Sequence, residues 1–142
     1  MPKINESELK KEIKSGDFKN AYLFYGEESY LKEYYASELK NKIVDKTFEA
    51  FNFHYFDGKD TELDDILKDA QMLPMMSEYN FVMVKDYPIE KSANDIKLLE
   101  EYLKDAPDTT VFVLWFDAIE PDVKSAKFKK VIKAFEKAGD CV

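Results

Sequence analysis

The stretch Ala21-Tyr-Leu-Phe-Tyr25-Gly26-Glu27-Glu28-Ser29-Tyr30-Leu31 runs an apolar strand into one glycine and then into helical spacing. In an α/β nucleotide-binding domain, this first strand-to-helix turn carries the phosphate grip. Several bare backbone N–H groups, a Lys and a Ser or Thr converge there on the anion. Here Gly26 stands alone, and Glu27 and Glu28 occupy the anion's place ahead of Ser29. Gly26, Glu27, Glu28 and Ser29 therefore mark a phosphate-loop position without its grip. Either the chain never bound nucleotide, or it keeps a nucleotide-binding fold for another purpose.

Outward from this turn, strand and helix patterns alternate. Asn5 or Ser7 can cap a short helix carrying Leu9 and Ile13, which Gly16 stops. After the Ala21–Tyr25 strand, Leu31, Tyr35, Leu39 and Ile43 stripe one helix face. Phe51, Phe53 and Tyr55 alternate with Asn52, His54 and Phe56, which predicts a second strand closed by Asp57-Gly58. Leu63, Ile66, Leu67 and Ala70 return to helical spacing, and Phe81–Val84 forms a third strand. Ile96, Leu99 and Leu103 stripe a helix that ends before Pro107. Thr110–Phe116 is nearly all apolar, as a central parallel strand should be. Phe128, Val131, Ile132 and Phe135 mark the last helix, and Cys141-Val142 looks like a fifth strand cut short. No hairpin signal interrupts the series. The pattern predicts right-handed β-α-β units and a parallel sheet covered on both faces, a three-layer α/β domain over 1–142. The apolar pair at the end suggests a domain excised from a longer protein.

Composition narrows the chemistry. With 142 residues, eleven Phe, nine Tyr and one Trp, the chain can bury a core. Its formal charge is −8, and all 21 cationic residues are Lys. An acidic chain repels a phosphate backbone unless its cations cluster, which disfavours direct nucleic-acid binding. The single Cys141 permits no internal disulfide and points to a reducing cytoplasm. No signal-peptide run or membrane-length apolar stretch (~20 residues) is present.

The glycines at 16, 26, 58 and 139 lack the spacing of a phosphate loop or dinucleotide fingerprint. Without Arg there is no arginine finger, which argues against ATP hydrolysis. One Cys and one His cannot supply a four-ligand zinc site. His54 reads as a surface-facing strand residue rather than a catalyst, and Cys141 as inert. One enzymatic arrangement remains open. Glu27, Glu28, Asp57, Asp86 and Asp117 follow strands, where parallel sheets collect ligands, and such a cluster would hold Mg²⁺ for receiver-like phosphotransfer.

Gln71-Met-Leu-Pro-Met-Met76 stands apart, with Met72, Leu73, Met75 and Met76 crowded around Pro74. Pro74 ends the preceding helix and keeps Leu73 extended. On composition alone this is a hydrophobic loop folded back on its own domain, because exposed apolar patches are uncommon. Flexible, polarizable Met also suits a partner's apolar pocket. A row of lysines on the last helix (Lys124, Lys127, Lys130, Lys133, Lys137) reads as a solvated face.

Three segments carry a family resemblance: Tyr22–Leu31, Leu73–Val84, and Val111–Phe116 followed by Lys127-Phe-Lys-Lys130. In order and spacing the chain resembles the N-terminal domain of the delta subunit of the bacterial DNA polymerase III clamp loader. The likeness covers essentially the whole chain but only the first third or so of a typical delta subunit. It implies an AAA+-like (RecA-like) domain that binds no ATP and needs no cofactor or metal. The resemblance implies no catalysis within this domain itself, although the family is part of a DNA-directed DNA polymerase. It further implies binding to the sliding clamp (the beta subunit) and help in opening the ring. Other loader subunits are partners of the full-length protein, and DNA is met only indirectly or in the assembled complex. The implied clamp-binding residues are Gln71, Met72, Leu73, Pro74, Met75 and Met76, with Met75 and Met76 entering the clamp's pocket. The family commonly has Phe where this chain has Met76. Met fills the same volume but forgoes ring contacts and loses more rotamer entropy.

Overall fold

The computed structural model describes residues 6–16, 18–25, 29–44, 46–119, 121–122 and 124–141. Five strands form one sheet in the order β2-β3-β4-β1-β5. They are β1 (Ala21–Phe24), β2 (Phe53–Asp57), β3 (Asn80–Lys85), β4 (Thr110–Trp115) and β5 (Asp140–Cys141). Every neighbouring pair is parallel, with Ala21 opposite Phe112, Phe53 opposite Phe81, Asn80 opposite Thr110 and Leu23 opposite Cys141.

Because successive side chains point to opposite faces, the central strands divide between two apolar layers. Ala21, Leu23, Val82, Val84, Phe112 and Leu114 join one. Tyr22, Phe24, Phe81, Met83, Val111, Val113 and Trp115 join the other. The first layer is covered by α4 (Leu63–Ala70), α5 (Ala93–Lys104) and α6 (Ala126–Ala138), through the stripes predicted from sequence. The second is covered by α1 (Glu6–Ser15), through Leu9, and α2 (Ser29–Ile43), through Tyr35, Leu39 and Ile43. Ser92 and Ser125 cap α5 and α6 by accepting the Asp95 and Phe128 N–H groups. Of the two caps suggested for α1, Ser7 lies inside the helix and Asn5 outside the described residues. No helix among the described residues is long and apolar enough to cross a membrane.

Two readings need correction at the β2 edge. Phe51 and Asn52 belong to a short helix, α3 (Glu49–Asn52), so the strand starts at Phe53. The alternation continued through a helical turn because Phe51 is exposed and Asn52 buried, which leaves the apparent period of two intact. His54 does not face solvent. Its Nδ1 lies 3.5 Å from Asp69 Oδ2 of α4, on the covered side of the sheet.

Loops at the carboxyl ends of the strands are pinned by buried charge. Asp86 leaves β3 with φ 57°, a region Asp tolerates. It is buried, and its carboxylate accepts the N–H groups of Asp117 (2.7 Å), Ala118 (3.1 Å) and Ile119 (3.1 Å) after β4. Burial alone would raise its pKa. The N–H donors of Asp117, Ile119 and Ala118, helped by the Lys59 charge, outweigh burial and hold it below 3.8. Glu90 fixes the next turn by accepting the Asp122 N–H (3.1 Å) and Ser125 hydroxyl (2.7 Å). At the far end, a Cβ on Gly139 would fall onto the Ala21 carbonyl, so the approach of β5 to β1 requires glycine.

Asp86→Asn should destabilise the fold by about 1.5–3 kcal/mol near neutral pH, because it removes a charged acceptor from three donors. A depressed folded-state pKa contributes stability above the unfolded value and loses it as pH falls through the folded one. Denaturant titrations should therefore show a constant gap between wild type and variant down to about pH 4, closing below it. Gly139→Ala should lower the thermal midpoint, costing roughly 1–3 kcal/mol through the forced shift of β5, as circular dichroism would record.

Candidate functional site

The helix α4 ends at Ala70, and Gln71 closes its last turn by donating its N–H to Leu67 (3.2 Å). Residues 71–79 then lead to β3 without regular structure. In a parallel sheet all strands start at one end, so this loop lies at the amino end. The turn after β1, where a nucleotide-binding domain holds phosphate, is at the opposite end.

Three buried polar side chains grip the loop's backbone. Asn80 Nδ2 donates to the carbonyls of Asp69 (3.0 Å) and Met72 (3.3 Å). The Tyr102 hydroxyl donates to the Ala70 carbonyl (3.3 Å). Asp69 and Ala70 lie in the last turn of α4, where carbonyls lack their i+4 helical donors, and the Asp69 carbonyl also accepts the Met72 N–H (3.2 Å). Asn52 makes a two-way clamp on Met75: its Nδ2 donates to the Met75 carbonyl (2.7 Å) and its Oδ1 accepts the Met75 N–H (2.6 Å). Met76 follows with φ 54°, rare for a residue with a side chain. Burial raises the Tyr102 hydroxyl's pKa far above its ordinary value, so it stays a donor.

The side chains take the opposite course. Leu73 is 80% exposed, Met76 78%, Met75 52% and Met72 48%. Gln71 is exposed as well, while Pro74 is half-buried. The loop is not folded back on its own domain, as composition suggested. Its anchored backbone leaves four large apolar groups facing water. All six residues singled out in the sequence lie together here. Sequence reading missed Asn52, Asn80 and Tyr102, which build the site without being exposed in it. Asn52 was assigned to an alternating strand position, and only its 23-residue separation from Met75 in contact reveals its work.

Other candidate groups are engaged elsewhere or lie outside view. Gly26, Glu27 and Glu28 are outside the described residues, and Ser29 opens α2. Of the strand-end carboxylates, Asp86 is spent on the β4 loop, Asp117 pairs with Lys85 at 3.5 Å, and Asp57 accepts the Lys59 N–H in its own turn. Among the described residues, no three His, Cys, Asp or Glu side chains gather to hold a metal. On the lysine face, Lys130, Lys133 and Lys137 line a groove of about 650 Å³ with Lys97 and Lys104 of α5. Glu100 and Glu101 share that groove and offset part of its charge.

Residues 22–141 match the sequence model of the family described as "DNA polymerase III, delta subunit". The DNA polymerase III subunit delta of Bacillus subtilis (strain 168) is 32% identical over 134 residues, covering 89% of this chain and 38% of the relative. The solved Bacillus subtilis DNA clamp loader delta protein superposes with TM-score 0.79 at 27% identity, over 96% of this chain and 41% of that one. A DNA polymerase III gamma subunit-related protein of Thermotoga maritima (TM-score 0.64, 18% identity, 94% of this chain and 44% of that one) shares the fold. So does RuvB of the same organism (0.54, 14%, 94% and 40%). The three-layer parallel sheet is thus an AAA+-like fold, and the chain spans about two fifths of the length of these relatives. On the match over residues 22–141 and the identity to the curated relative, this chain belongs to the DNA polymerase III delta subunit family.

Proposed function

We propose that this chain is the part of a clamp loader delta subunit that docks on the sliding clamp and helps open the ring for loading onto DNA. The observation that carries the reading is the loop 71–76, whose backbone is held while Met72, Leu73, Met75 and Met76 face solvent. A soluble surface rarely keeps so many large apolar groups together unless a partner covers them. Met75 and Met76 insert into an apolar pocket of the clamp, with Leu73 beside them and Gln71 at the rim. Burying the two Met side chains contributes about 3–6 kcal/mol before ordering costs.

Docking opens a ring only when the open form offers the loop a better surface than the closed one, since a ligand shifts an equilibrium by differential affinity alone. The helix α4, packed on the sheet through Leu63, Ile66, Leu67 and Ala70, is the strut behind the loop. Other loader subunits complete the assembly, and DNA is met within it. With its phosphate-loop position lacking a grip, the domain contributes a scaffold rather than nucleotide turnover. The lone Cys141 suits a reducing cytoplasm.

The test is clamp binding by the double variant Met75→Ala/Met76→Ala. Calorimetric titration should show affinity reduced at least about 100-fold. Both side chains are already exposed, so thermal stability should change by less than about 0.5 kcal/mol. A double variant that binds the clamp as tightly as wild type overturns the assignment.

A further inference from the structure

We propose that Asn52 is the positioning residue of the docking loop, so that the site is built from two segments rather than from the linear stretch 71–76. The inference rests on the docking reading given above. Asn52 ends α3, is 1% exposed, and spends its amide on both backbone groups of Met75. The amide acts as a strand neighbour would, holding one residue's N–H and C=O together at 2.6 and 2.7 Å.

This grip does two things for a partner. It fixes the backbone immediately before Met76, so the backbone part of the ordering cost is met in the free protein. It also satisfies Met75's polar groups before water is excluded. When a partner's pocket closes over Met75 and Met76, a loop without Asn52 must leave that N–H and C=O unpaired or stay partly open. Unpaired buried backbone groups are costly. In the free protein, water can replace the lost bonds. Removal of the amide therefore weakens binding more than it weakens the fold.

The foundations of the grip are local. α3 is tied to α2 through Lys40, whose Nζ lies 3.3 Å from Glu49 and 4.3 Å from the centre of the Phe53 ring. On the far side, Asn80 fixes Met72. Met75 is thus held from the β2 edge and Met72 from the start of β3, with Leu73 and Pro74 bridging them.

The experiment compares Asn52→Ala, Asn52→Asp and Met75→Ala/Met76→Ala with wild type, titrating the sliding clamp of the same organism at a temperature where each is fully folded. Asn52→Asp keeps the buried volume and can still accept the Met75 N–H, but it cannot donate to the carbonyl. It serves as the readout if the Ala variant folds poorly. Both Asn52 variants should lose affinity about tenfold or more, and amide exchange at Met75 should accelerate in the free protein. Wild-type affinity in folded Asn52 variants, with binding lost in the Met double variant, overturns the positioning role and leaves the docking reading standing. Wild-type affinity in the Met double variant overturns both.

Discussion

The strand β4 has no polar side: all six of its residues are buried, and it lies at the centre of the sheet between β3 and β1. Neither face of the sheet can meet water there, so helices must cover both. The alternation of side chains along β1, β3 and β4 then decides which helix stripe each layer receives. Ligand-facing chemistry is left to the strand ends and to the edge. In this chain the exposed apolar loop lies at the amino end of the strands, beside the partly exposed edge strand β2.

Both ends of the sheet use the same physical device, a buried acceptor or donor that satisfies loop backbone at a distance. At the carboxyl end a charged group does it, with Asp86 taking three N–H groups from the segment after β4. At the amino end neutral groups do it, with Asn52, Asn80 and Tyr102 serving the loop after α4. A carboxylate offers acceptors alone, and Asp86 meets three donors with it. Amides offer donor and acceptor at once, so they complete a residue's bonding without placing charge beneath the exposed apolar side chains. Such support explains why four large apolar side chains remain outside.

The strand and helix order was legible because periods of two and of about four survive in the sequence wherever a face is buried. Leu63, Ile66, Leu67 and Ala70 show this, as does the apolar run Val111–Trp115 of β4. The segment 71–76 was visible as composition, but its exposure was not. Clustered Met and Leu predict burial unless something holds their backbone away, and the holding groups are far off in sequence. Asn52 acts across 23 residues, and Asn80 across 11 and 8. α3 hid for a related reason: a buried Asn beside an exposed Phe inverts the usual rule and mimics a strand. Of the strand-end carboxylates, Asp57 and Asp86 bond to backbone and Asp117 to Lys85, engagements that leave no trace in spacing.

The left-handed backbone of Met76 restricts what this surface can ever present. Val, Ile and Thr carry their branch next to the chain and clash in that region. Unbranched side chains are tolerated at modest strain, and glycine fits but has nothing to insert. The choice of side chain open to position 76 is therefore limited by the backbone itself. Long, flexible thioether or leucine-like groups are within it, and β-branched residues such as Val82, Val84, Val111 and Val113 of the sheet beneath are shut out.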